Sequence, residues 1–109
     1  MIIFNVSQSI CQYVDNNYID GNINVTTIAA YFDFTPAYLS KKFKEDIGES
    51  IIDYIYKVRI KQAKLLISES NLKVSDIATM VGFADSNAFI RIFKRMEGVT
   101  PGAFKEMNS

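Results

Sequence analysis

The chain has 109 residues, of which 49% are apolar, 13% aromatic and 22% charged. That composition supports a packed interior and excludes a disordered tail or a fibrous repeat; no apolar run reaches the length of a membrane span. The 12 basic and 12 acidic residues cancel, but they are unevenly placed. Residues 1–35 hold Asp15, Asp20 and Asp33 and no Lys or Arg, so all 12 cations fall in residues 36–109. An anionic partner responds to that local field rather than to the total. The opening stretch Met1–Ser7 lacks the basic-then-apolar layout of a secretory signal, and Cys11, the only cysteine, has no partner for an internal disulfide. A soluble, cytoplasmic chain is expected.

Apolar positions recur at helical spacing, with almost no period-2 alternation, so the expected class is all-α with seven helices. The first runs from about Ser7 to Tyr18 with Ile10, Val14 and Tyr18 on one stripe, and Asp20-Gly21-Asn22 breaks it. A short helix follows over Val25–Phe32. Thr35-Pro36 starts a third, because Thr caps well and proline lacks a donor that would be unsatisfied there; Gly48 stops it. The longest helix is expected over 51–68, capped by Ser50, with Ile51, Ile55, Val58, Leu65 and Leu66 near one face. After Ser70-Asn71 come Ser75–Val81, then Ser86–Met96 capped by Asp85 and stopped by Gly98, and a last turn from Thr100-Pro101 through Phe104.

The chain also repeats itself at a period near 50 residues. Ile28-Ala29 and Phe34 match Ile77-Ala78 and Phe83; Phe43-Lys44 and Gly48 match Phe93-Lys94 and Gly98. Leu39 pairs with Phe89, Ser50 with Thr100 and Tyr54 with Phe104. The offset grows from 49 to 50 between the motifs, so the second copy has one more residue in its turn. Two copies are too few for a solenoid and fit a duplicated helix-turn-helix. Ala29 and Ala78 let two helices cross closely, and the turns want a residue tolerant of left-handed angles, met by Gly82 and less well by Asp33. Phe34 and Phe83 are expected to plug the core beneath their turns. Any helical hairpin wants such residues, so one copy leaves the two readings even; two copies with matching outward faces favour recognition helices.

At about 100° per residue, Leu39, Phe43 and Ile47 face inward on the third helix, leaving Ala37, Lys41, Lys44 and Glu45 outward with Tyr38 at the edge. On the sixth, Phe89, Phe93 and Met96 face inward, leaving Asn87, Arg91, Lys94 and Arg95 outward. Ala37 aligns with Asn87 and Lys41 with Arg91, near the helix N-terminus that meets base edges in this motif. Arg and Lys suit the guanine O6/N7 edge, Asn the adenine N6/N7 edge, and Ala a thymine methyl. Lys44, Lys94 and Arg95 lie further along and suit phosphates.

These residues resemble the AraC/XylS family of bacterial transcription regulators. The second half carries Asp76-Ile77-Ala78, Val81-Gly82-Phe83, Phe89, Arg91, Phe93-Lys94, Gly98 and Thr100-Pro101 before Phe104. The first half carries Ile28-Ala29, Tyr38-Leu39, Phe43-Lys44 and Gly48, and the linking helix Arg59-Ile60, Ala63 and Leu65-Leu66. The resemblance implies one DNA-binding unit over 7–106, made of helix-turn-helix subdomains 7–48 and 72–106 joined by the long helix 51–68. It implies two recognition helices, 36–47 and 86–96, in adjacent major grooves, with Ala37, Ser40, Lys41, Asn87, Ile90 and Arg91 reading bases. Backbone contacts are expected from Thr35, Tyr38, Lys44, Asp85, Ser86, Lys94 and Arg95. Ala37 and Ser40 are small, so the first helix is expected to read fewer bases, and Phe104-Lys105 stands where the family has an aromatic followed by Arg. An 18-residue helix is about 27 Å long against about 34 Å between successive grooves, which favours DNA bent toward the protein.

The partners expected are double-stranded DNA and RNA polymerase or a sensing domain of a longer protein, with any signal sensed outside these residues; no cofactor, metal or membrane is expected. The chain has no His, and no paired carboxylates, phosphate loop or nucleophile–base set appears, so an enzyme is not expected. Cys11 reads as a small buried or half-buried thiol rather than a metal ligand or nucleophile. Lys57, Arg59, Lys61 and Lys64 are weaker candidates for DNA contact; a solvated helix face explains them at least as well, and Arg59 is also placed to anchor a subdomain internally. Ile90 suits a thymine methyl and internal packing equally. The alternative reading is a helical protein-interaction module on the same fold.

Overall fold

Capping chemistry and helical periodicity produce seven α-helices in the computed structural model, which describes residues 5–108; the expectation about the opening stretch falls partly on residues 1–4, outside that range. They are α1 (Val6–Asn17), α2 (Val25–Phe32), α3 (Pro36–Ile47), α4 (Ile51–Glu69), α5 (Val74–Met80), α6 (Ser86–Glu97) and α7 (Pro101–Met107). No strand occurs among the described residues, and none of their helices is long and apolar enough to cross a membrane. Two units divide between Ile55 and Tyr56, inside α4.

In the first unit, α3 packs on α1 and α2 around Ile10, Val14, Ile28, Ala29, Leu39, Phe43, Ile51 and Ile55, all buried. Asn5 and Asn24 close reciprocal capping boxes with Gln8 and Thr27, which satisfy first-turn amides at α1 and α2. Thr35 Oγ1 accepts from the Tyr38 amide at 3.2 Å, and Ser50 Oγ from Asp53 at 3.1 Å, as the sequence predicts. The buried Ser7 donates to the Asp46 carboxylate at 2.8 Å and so fixes α1 to α3.

Phe43 meets Tyr54 edge-on, centroids 5.8 Å apart, and the Tyr54 hydroxyl donates to Asp15 at 3.0 Å. Burial first, and then the hydrogen bond to Asp15, push the Tyr54 phenol well above its usual value of 10. The folded state therefore keeps a proton that the unfolded chain releases, so this contribution to stability is full below pH 10 and fades as pH climbs toward the raised folded value. Tyr54→Phe is expected to flatten the fall in thermal stability between pH 9 and 11; parallel curves for variant and wild type would contradict it.

The second unit repeats the plan. Ile77, Ala78, Val81, Phe83, Phe89, Ile92 and Phe93 are buried with Arg59, Ile60, Ala63 and Ile67 of α4. Asp85 accepts from the Ala88 amide at 2.7 Å and Thr100 Oγ1 from Ala103 at 3.2 Å. Phe93 meets Phe104 edge-on at 5.6 Å, the counterpart of the Phe43–Tyr54 pair. Arg59 is 5% exposed, its guanidinium 5.6 Å from the Phe83 centroid, so it does anchor this unit internally. Lys64 pairs with Glu97 at 2.7 Å.

Both α3 and α6 stop at a glycine in the left-handed region, Gly48 at φ +91° and Gly98 at φ +82°, each amide returning to a lysine carbonyl four residues back. A Cβ at Gly48 would meet nothing within 4 Å, so a substitution there costs only conformational energy. Gly48→Ala is expected to lower stability by about 1 kcal/mol, read by chemical denaturation; an unchanged midpoint would contradict it.

Three expectations need correction. Leu65 does not join the buried face of α4; it is exposed, and Val58 is half-buried. The buried positions Ile51, Ile55, Arg59, Ala63 and Ile67 advance in steps of four, which turns the stripe by about 40° each step and leaves Leu65 behind. On α6 it is Ile92 that is fully inward, with Met96 half-buried. Phe34 is no core plug: it is 41% exposed, whereas Phe83 is 6% exposed. Both amides donate to the equivalent alanine carbonyl, Phe34 to Ala29 at 2.9 Å and Phe83 to Ala78 at 3.0 Å. Ala84 then separates Phe83 from the cap Asp85, but Phe34 abuts its cap Thr35 directly. Without that spacer the Phe34 ring lies along α3, stacked on Tyr38 at 5.1 Å.

Candidate nucleic-acid interface

In the first unit the turn between α2 and α3 is made by Asp33 at φ +61°, a left-handed angle that an Asp tolerates, and Thr35 ends it by capping α3. With Leu39 and Phe43 fully buried, helical geometry forces the opposite side of α3 into solvent. Ala37, Ser40 and Lys41 are exposed there, as are Thr35, Tyr38 and Lys44. In the second unit Gly82 makes the turn at φ +102°. Phe89, Ile92 and Phe93 bury one side of α6, and Asn87, Ile90 and Arg91 emerge on the other, followed by Lys94 and Arg95. Asp85 is exposed at the N-terminus and Ser86 half-exposed. Each unit thus gathers its own three predicted reading residues on one helix surface.

The surfaces are cationic as well as exposed. Among the described residues, Lys41, Lys44, Arg91 and Lys94 form no ion pair, while Lys42 is held by Asp46 at 3.5 Å and Lys64 by Glu97. Lys42 and Lys64 thus have an internal carboxylate partner, while Lys41, Lys44, Arg91 and Lys94, on the outer faces of α3 and α6, are left to an external anion. Thr35 and Asp85 each accept from the third amide of their helix, at Tyr38 and Ala88. Lys44 and Lys94 sit in the last turns, where a cation also favours the helix dipole.

The sequence alone did not identify the Phe34–Tyr38 stack beside Lys41. Its signal was present in the change of offset from 49 to 50, which removes the spacer before Thr35. Among the described residues, no group of three or more His, Cys, Asp or Glu side chains is placed to hold a metal ion. Cys11 is half-buried beside Tyr54, and burial raises its thiol, which disfavours the reactive thiolate.

Two units, each a short helix, a left-handed turn and a capped helix with one buried and one cationic face, define a duplicated helix-turn-helix protein. Residues 28–107 match the family described as helix-turn-helix domain. The arabinose operon regulatory protein of Escherichia coli is 33% identical over 95 residues, which are 87% of this chain and 32% of that protein. The chain belongs to the AraC family of helix-turn-helix domains, a class defined by sequence-specific DNA binding in transcription regulation. It spans about a third of the length of the curated relatives it matches first, 32–34%. Among solved structures, the C-terminal domain of the two-component response regulator yesN from Fusobacterium nucleatum is 32% identical with a TM-score of 0.89, covering 94% of this chain and 99% of that one. The DNA-binding domain of AdpA, solved in complex with a target DNA, shares the fold at a TM-score of 0.87 and 20% identity, covering 95% and 93%.

Proposed function

We propose that α3 and α6 are two recognition helices that enter adjacent major grooves of one duplex. The observation that supports this most is the pair of matched surfaces: Ala37, Ser40 and Lys41 on one helix, Asn87, Ile90 and Arg91 on the other, all exposed behind equivalent caps. Lys41 and Arg91 take guanine O6/N7, Asn87 takes adenine N6/N7, and Ala37 and Ile90 meet thymine methyls. Ser40 hydrogen-bonds a base edge at short reach. Tyr38, Lys44, Ser86, Lys94 and Arg95 bind the sugar–phosphate backbone. Thr35 and Asp85 contribute by orienting helix amides toward phosphates; the Asp85 carboxylate is engaged with Ala88 and would itself be repelled by a phosphate.

In this reading the domain is regulatory rather than enzymatic, works in the cytoplasm, and receives its signal from a sensing domain elsewhere in a longer protein or passes it to RNA polymerase. Affinity measured for cognate and scrambled duplexes across a salt series tests the core of it. Expected are a preference for the cognate and a log–log salt slope of roughly −0.9 per phosphate neutralised. Binding without preference, unchanged by Lys41→Ala and Arg91→Ala, would overturn it.

A further inference from the structure

In the first unit the reading surface is short of reach. Ala37 and Ser40 are small, where the second unit offers Asn87 and Ile90 at the aligned positions. The same surface carries two large rings that the second unit lacks, Phe34 at 41% and Tyr38 at 48% exposure, stacked at 5.1 Å with planes 30° apart. Tyr38 precedes Lys41 by three residues and therefore shares its side of α3. Phe34 is fixed from behind as well, its amide held by the Ala29 carbonyl at 2.9 Å. Phe83 makes the same backbone bond and is buried, so it is the stack with Tyr38 that holds the Phe34 ring in water, beside a helix whose other outward residues are polar or small.

We propose that Phe34, braced by Tyr38, is a specificity-determining residue that packs against a thymine 5-methyl group beside the base read by Lys41. This rests on the DNA-binding reading above and extends it to a residue outside the six reading positions. The occupant follows from chemistry. The thymine methyl is the apolar group that a major groove presents at its base edges, while the rest of that edge is hydrogen-bond donors and acceptors that a phenyl ring cannot satisfy. The second unit has no exposed counterpart of Phe34: the aligned ring, Phe83, lies at 6% exposure against Tyr56, 5.8 Å between centroids. Methyl reading by a ring is therefore confined to the half-site met by α3.

The test replaces each thymine of the cognate duplex in turn by deoxyuridine, which removes the methyl and leaves every hydrogen-bonding group. Ala37 and Ile90 meet methyls of their own, so the thymine that belongs to Phe34 is the one, beside the base read by Lys41, whose loss of about threefold to fivefold in affinity disappears in Phe34→Ala. Phe34→Ala is expected to bind the thymine and uridine duplexes equally, and Phe34→Leu to keep part of the difference. Wild-type indifference to uridine at every thymine, or a Phe34→Ala variant that keeps the full ratio, would overturn the proposal and leave DNA binding standing; the latter result would assign the methyl to Ala37. A uniform loss in Phe34→Ala with no thymine–uridine difference would indicate a sugar contact and also overturn it. Failure of wild type to prefer any duplex would remove the DNA-binding reading and this one together. The wild-type uridine scan needs no variant to fold.

Discussion

Arg91→Ala is expected to weaken binding to the cognate duplex by about 1–3 kcal/mol, roughly five- to 150-fold, and to relax discrimination at one base pair. The size follows from the chemistry of the guanidinium, whose two parallel donors match guanine O6 and N7 and are left without a partner when the base is changed. The position follows from the structure. Arg91 lies two residues from the buried Phe89 and Phe93, so the helix itself aims it away from its own unit, and no internal carboxylate holds it. Lys94, one turn on, supplies the contrast. Lys94→Ala is expected to weaken all duplexes alike and reduce the salt slope by about 1, since a phosphate contact carries no base information. The pair is best read in one titration matrix of two variants, cognate and single-substituted duplexes, at three salt concentrations. Equal losses for both variants at every base pair would place Arg91 on the backbone.

The reading surfaces were legible in the sequence because two constraints coincide there. Helical periodicity says which side of a segment is buried, and the caps Thr35 and Asp85 with the stops Gly48 and Gly98 say where that periodicity begins and ends. Lys41 and Arg91 sit well inside those limits, so a one-residue error in a boundary does not move them off the exposed side. Phe34 lies in the turn itself, where periodicity has no force, and copying the role of Phe83 across the repeat overlooked the single inserted residue that changes the ring's direction. Leu65 failed differently: a helix whose buried stripe rotates along its length has no fixed face to extrapolate. The Asn5 and Asn24 capping boxes and the Ser7–Asp46 hydrogen bond went unseen because short polar side chains suit caps, turns and solvent alike until the backbone angle is known.

Phe93→Ala is expected to cost about 3–5 kcal/mol, the largest stability loss of any substitution considered. Phe93 is fully buried and holds two ring contacts, Phe89 at 5.7 Å within α6 and Phe104 at 5.6 Å, the second of which joins α6 to α7. A unit of this size has little other apolar surface to rearrange, so the cavity stays open and the neighbouring rings lose their contacts along with the transferred area. Small domains hold only about 5–15 kcal/mol in total, and the melting temperature should fall by more than about 10 °C. Phe93→Leu keeps most of the volume and should lose less than half as much. DNA affinity of Phe93→Ala, measured in the cold where the unit is still folded, should stay near wild type, because the ring lies on the opposite side of α6 from Arg91. A variant that melts within a few degrees of wild type yet loses cognate binding would invert the assignment of buried and reading faces on α6.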